Sequence, residues 1–166
     1  SSLVKAGVET QMAERMNQNM QSISNGIVGD LRMDFREVDT VAIASGGNSL
    51  TLTTPAGNVV YQLTNGNLTR RSPAGTVKTY NDPKMYNNML EIACPGGPVV
   101  PGGPSVSGCF APNNLNSSGL PRQIVMPELA VRQKTANGGL IDRYFGAPNF
   151  TVRNFAFDVV TATEFQ

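Results

Sequence analysis

The sequence contains no histidine and no tryptophan. Without histidine, His-based triads, the usual His-containing zinc sites and histidine acid–base catalysis are excluded. Cysteine is nearly as scarce, Cys94 and Cys109 being the only two. Charge of one sign is also lacking: Lys and Arg total 13 against 12 Asp and Glu, a formal charge of +1. The bulk charge therefore marks neither a nucleic-acid-coating protein nor an acidic tail. Carboxylates are scattered, with no calcium-loop pattern and no pair nominated for glycosidase-type chemistry. The glycines sit in Pro-Gly-Gly and Asn-Gly turns and not at a strand-to-helix junction, so no Walker or Rossmann phosphate loop is present. These absences remove much of ordinary enzymology, and the chain is expected to be non-catalytic and without a cofactor or a resident metal.

What is present begins with a helical period. From Val8 the apolar residues fall at Val8, Met12, Met16, Met20, Ile23, Ile27, Leu31, Phe35 and Val38, each step being three or four positions. A step of four overshoots one turn by roughly 40°, so a row made mostly of such steps winds around the helix. One partner surface cannot cover it all. Ile23 to Val38 suit the protein's own core, whereas Met12, Met16 and Met20, unbranched and adaptable, suit either a core or helices of other chains. Gly26 and Gly29 mark a bend or a close backbone approach. Asp30, Arg32, Asp34, Arg36 and Glu37 read as a solvated charged face.

After Val38 the period changes to two. Ser45-Gly46-Gly47-Asn48 reads as a two-residue hairpin turn, Thr54-Pro55-Ala56-Gly57 as a longer loop, and Asn65-Gly66 as a strong hairpin signal. Closing these turns pairs Ile43 with Leu50, Val41 with Leu52, Leu52 with Val59, Leu50 with Tyr61, Leu63 with Leu68 and Tyr61 with Arg70. Every pair puts its apolar members on the same face, and a slip of one residue would break the agreement. The other face carries Ala42, Thr51, Thr53, Val60, Gln62 and Thr69, as expected for a sheet wet on one side.

Between Cys94 and Cys109 the Pro-Gly-Gly-Pro unit occurs twice. Such a segment has neither period nor enough large apolar residues to hold itself, and needs a fastener. A Cys94–Cys109 disulfide would stabilise it by roughly 3 kcal/mol and would imply an oxidising compartment; two free thiols or a two-ligand metal site are the alternatives. A short strand is predicted at Thr76 to Tyr80, a helical or irregular patch around Met85 to Ile92, and exposed loop over 111–121. Strands follow at Gln123 to Met126, Leu129 to Gln133 and Leu140 to Phe145, with a turn at Asn137-Gly138-Gly139. Phe150 and Val152 alternate in one phase and Phe155, Phe157 and Val159 in the other, which predicts a break near Arg153-Asn154. Arg70 and Arg71, with Lys78 and Lys84, form the one basic concentration, a solvated strand face or a ligand contact.

The helix ending in Asp30-Leu31-Arg32-Met33-Asp34-Phe35-Arg36, followed by Ser49-Leu50-Thr51-Leu52-Thr53 and by Val59 to Arg70 around Asn65-Gly66, resembles the minor pilins and pseudopilins. Among them it is most similar to PilW-like minor pilins of type IV pili and J-type pseudopilins of type II secretion. Members carry a basic leader, a processing site and an apolar anchor, whereas this chain opens at Ser1-Ser2-Leu3-Val4, so it resembles the soluble part alone. The resemblance implies a non-catalytic subunit, anchored in the inner membrane and facing the periplasm before assembly, then part of a surface filament or periplasmic pseudopilus. Its partners would be other pilin subunits, met through Val8, Met12, Met16 and Met20. A tip adhesin or DNA-uptake subunit using Arg70 and Arg71 on DNA or a host surface is one alternative. A secreted α+β hydrolase or inhibitor is another. The expected fold is a single α+β domain over 1–166: a helix over 1–38 packed on a four-stranded meander over 39–71, a loop-rich region over 72–121, and C-terminal strands over 122–166.

Overall fold

The computed structural model describes residues 2–152, with the backbone alone for 2–6 and 8–10. One helix, α1 (Ser2–Asp34), precedes β1 (Thr40–Ala44), β2 (Ser49–Thr54), β3 (Gly57–Thr64), β4 (Asn67–Arg71) and β5 (Val77–Thr79). There follow β6 (Leu90–Ala93), β7 (Gly97–Pro98), β8 (Ser105–Val106), β9 (Ala111–Leu115), β10 (Pro121–Val125), β11 (Ala130–Lys134), β12 (Leu140–Tyr144) and β13 (Asn149–Thr151). The strands form four antiparallel sheets, ordered β1-β2-β3-β4-β5, β13-β10-β9, β12-β11-β6 and β7-β8.

This corrects the expected fold class. The molecule is mostly β, and an α+β arrangement of one helix on one meander with a strand-rich tail describes it only loosely. The meander has five strands, β5 adding to β4 with Arg70 opposite Lys78. Part of the patch around Met85 to Ile92 is strand β6, and part of the loop over 111–121 is strand β9. β6 was hidden because its partner lies far along the chain, Ile92 pairing with Val131. β9 pairs with the next strand, Ala111 with Val125, and was hidden by the loop-like composition of Pro112, Asn113 and Asn114. Pro112, which argues against a strand interior, is tolerated because β9 is an edge.

The three hairpin registers are those the turns predict. Ile43 faces Leu50, Val41 faces Leu52, Leu52 faces Val59, Leu50 faces Tyr61, Leu63 faces Leu68 and Tyr61 faces Arg70. Leu50, Leu52, Val59, Tyr61 and Leu68 are buried, with Val41, Ile43 and Leu63 packed at the margin. The first turn differs in form, being a short 3-10 turn over Ser45–Gly47. Its glycine has a steric reason: at Gly47 (φ 93°) a Cβ would stand 2.6 Å from Ser107 O, and Phe110 N–H donates to Gly47 O at 2.8 Å. The turn thus rests its backbone directly on the end of the cysteine loop.

The helix stops four residues before the last apolar position of its stripe. Phe35 and Val38 lie in the following turn, where Arg36 N–H and Glu37 N–H donate three residues back, to Met33 O and Asp34 O. Met20, Ile23, Ile27 and Leu31 are all buried. They belong to one core cluster that also holds Leu90, Ile92, Phe110, Ile124, Met126, Leu129 and Val131. Phe150 joins it by stacking on Phe35 at 5.4 Å between ring centres, and Val152 is buried as well. The predicted break at Arg153-Asn154 and the alternation of Phe155, Phe157 and Val159 lie outside the described residues.

Candidate functional site

The helix meets two sheets, and each junction is built from named polar groups. At its C-terminal end, Tyr61, Arg70 and Lys78 stand in a row across β3, β4 and β5. Asp34 accepts two hydrogen bonds from Arg70, from Nε and Nη2, each at 2.8 Å, and one from Tyr61 Oη. One turn earlier Asp30 accepts from Lys78 Nζ at 3.0 Å and from Tyr80 Oη at 2.8 Å. Two carboxylates four positions apart on a helix repel; here each has its own cation and its own phenol. The solvated face expected for Asp30 and Asp34 is therefore a clasp between helix and sheet.

Burial, the neighbouring Tyr80 and the bond to Asp34 push the Tyr61 phenol above its ordinary range. Burial and the bond to Asp30 do the same to Tyr80, so both remain proton donors. The hydrogen bonds to Asp34 raise the Arg70 guanidinium further above its usual value. Such a bidentate, charge-assisted pair is the stronger kind. Arg70 is thus spent inside the molecule. Arg71, its neighbour, points to the opposite face, where it is exposed between Val60 and Val77 beside a hollow of about 80 Å³ that Gln62 and Thr69 also line. The two arginines proposed together as a ligand contact do not converge.

Nearer the N-terminus, β12 supplies the second junction: Arg143 Nη1 donates to Asn17 O at 3.0 Å and Nη2 to Gln21 Oε1 at 3.2 Å. Of the four residues assigned to the assembly face, Met20 is 1% exposed and in the core, Met16 packs partly against it, and Met12 is 66% exposed. The side chain of Val8 lies outside those described. The winding stripe is covered by two sheets of its own chain as far as Met16, and the change from inward to outward falls between Met16 and Met12. Gln11 to Arg15 are all exposed, and the helix backbone continues to Ser2. Among the described residues no helix is long and apolar enough to cross a membrane.

Cys94 and Cys109 form the predicted disulfide. It closes the loop that holds the β7–β8 hairpin and ties the end of β6 to Phe110, whose ring meets Tyr61 edge-on at 6.5 Å. Asn81 was not among the residues the sequence pointed to. It is fully buried; its Oδ1 accepts from Leu68 N–H at 3.1 Å and its Nδ2 donates to Gly66 O at 2.9 Å and Leu90 O at 3.0 Å. It joins the β3–β4 turn to β6. A lone Asn ahead of Asp82-Pro83 looks like any turn residue, so no local signal marks it. The i, i+4 carboxylates Asp30 and Asp34 did carry a signal, because a like-charged pair on a helix asks for cations nearby.

No protein-family model matches the chain, and neither a curated protein nor a solved structure matches it.

Proposed function

We propose that this chain is a non-catalytic structural subunit, of the minor pilin or pseudopilin kind, that enters a filament through its N-terminal helix. The observation that carries the reading is the position of Met12. It continues the apolar stripe past the last sheet of its own chain and stands 66% exposed on a helix that runs on to Ser2. An apolar helix face beyond its own core is completed by other helices. Sheets and disulfide then form the part displayed outside, and the disulfide accords with a periplasmic or surface location.

The gene supplies the first test. The reading frame upstream of Ser1 should encode a leader and an apolar segment of about 20 residues, and a frame encoding neither overturns the reading. The second test is cross-linking in cells. With Val8→Cys or Met12→Cys, subunits should join to neighbouring pilins, while Arg71→Cys, on the outer face of the meander, should not.

A further inference from the structure

The charges at the end of α1 are sorted by sign. Asp30 and Asp34 turn to the meander, where Lys78 and Arg70 meet them. At about 100° per residue, Arg32 lies roughly 200° around the helix from Asp30, on the other flank of the buried pair Leu31 and Phe35. Arg36 follows in the turn after the helix. Both arginines are exposed, and they line an open hollow of about 350 Å³ together with Phe35, Asn149, Phe150 and Thr151. Among the described residues no carboxylate lines this hollow, and the Arg32 side chain has no ion-pair or hydrogen-bond partner. Its positive charge is therefore unanswered, whereas that of Arg70 is spent on Asp34.

The walls of the hollow are mostly apolar. Phe35 and Phe150, stacked at 5.4 Å between ring centres, present their margins to it while the rest of each ring is fixed in the core. An apolar wall with a few convergent polar groups is what a small-molecule site requires, and this volume stands at the lower end of the range, roughly 300 to 1,000 Å³. A guanidinium accepts a planar carboxylate through two parallel N–H bonds, and an aromatic body gains from edge or offset contact with other rings beyond its buried area. We propose that this hollow binds a small aromatic carboxylate, its ring against Phe35 and Phe150 and its carboxylate on Arg32 and Arg36. The end of a helix carries about half a negative charge and repels an anion, but the two arginines outweigh it. That same partial charge favours arginines there without any ligand, so binding has to be measured to separate the two roles.

The test titrates naphthoate into the isotope-labelled full chain and follows the backbone amide signals. Amides of Phe35, Arg36, Phe150 and Thr151 should shift saturably at millimolar probe or below. Naphthylmethanol, the same body without the charge, should bind about tenfold more weakly or worse. Naphthoate should lose about as much on Arg32→Gln, the effect of removing a bidentate, charge-assisted contact. Arg71→Gln, on the outer face of the meander, should leave the affinity unchanged. Absence of saturable shifts at those amides overturns the proposal. Equal affinity for the neutral analogue overturns it too, as does an equal loss on Arg71→Gln, which would mark a diffuse attraction to positive charge. Should Arg32→Gln fail to fold, the comparison of naphthoate with naphthylmethanol on the unaltered chain still decides the matter.

Discussion

The meander and the three smaller sheets are held together by different means. In the meander each strand pairs with the next along the chain, so every interstrand contact is closed by a short turn and costs little loop entropy. The smaller sheets combine pairings of consecutive strands, β7 with β8, β9 with β10 and β11 with β12, with two in which the partner must be brought from a distance, β6 with β11 and β10 with β13. That second region carries the Cys94–Cys109 disulfide at the end of β6, and the buried Asn81 fastens β6 to the β3–β4 turn of the meander. Sequence-local pairing makes a sheet that holds its own register, and long-range pairing has to be fastened.

Removing the fasteners should separate the two regions, most of all at the disulfide. Changing both cysteines to serine should cost roughly 3 kcal/mol for a loop of this length. Hydrogen exchange should rise over residues 94–115 far more than over β2 to β4, and equal loss in both regions would show that they melt as one unit. Asn81→Ala should cost about 2 kcal/mol, because the Leu68 amide is left buried without a partner. Chemical denaturation would measure the loss, and exchange should locate it in β6 and the β3–β4 turn.

The smallest effect is a difference in sign with pH. Burial raises the pKa of Tyr61 and Tyr80 in the folded protein above the ordinary 10.0. Their contribution is complete below about pH 10 and is lost as the pH rises past it, because the unfolded chain releases those protons first. The hydrogen bond from Arg132 holds Asp142 below its ordinary 3.8. Its contribution is present above about pH 4 and is lost as the pH falls, because the unfolded chain takes up that proton first. Tyr80→Phe should flatten the alkaline limb of the stability profile alone, and Asp142→Asn the acid limb alone. Thermal melts across pH 3 to 11 would expose an exchange of those roles.

The same contrast explains what could be read from the residues. Asn65-Gly66 places Leu63 opposite Leu68 with no knowledge of the rest of the fold, and the alternation of Val59, Tyr61 and Leu63 settles which face turns inward. Nothing comparable connects Ile92 with Val131. Pro112, Asn113 and Asn114 have a loop's composition and became a strand only because β10 arrived beside them. At the candidate site the stripe's periodicity was legible, but its division was not. Met20 turned inward because β11 and β12 cover the helix further toward its N-terminus than the meander alone could. Arg70 looked like half of a basic patch, since its carboxylate partner is supplied by the helix, far away in sequence.

The clasp at the end of α1 bears on how the helix is held. The backbone dipoles of a helix leave negative partial charge at its C-terminal end, where carboxylates are unwelcome, and Asp30 and Asp34 both sit there. Arg32 lies in the same turn, and Arg70 and Lys78, brought by β4 and β5, pair with the two carboxylates, so the charges that the helix end alone disfavours become the points at which the sheet holds it.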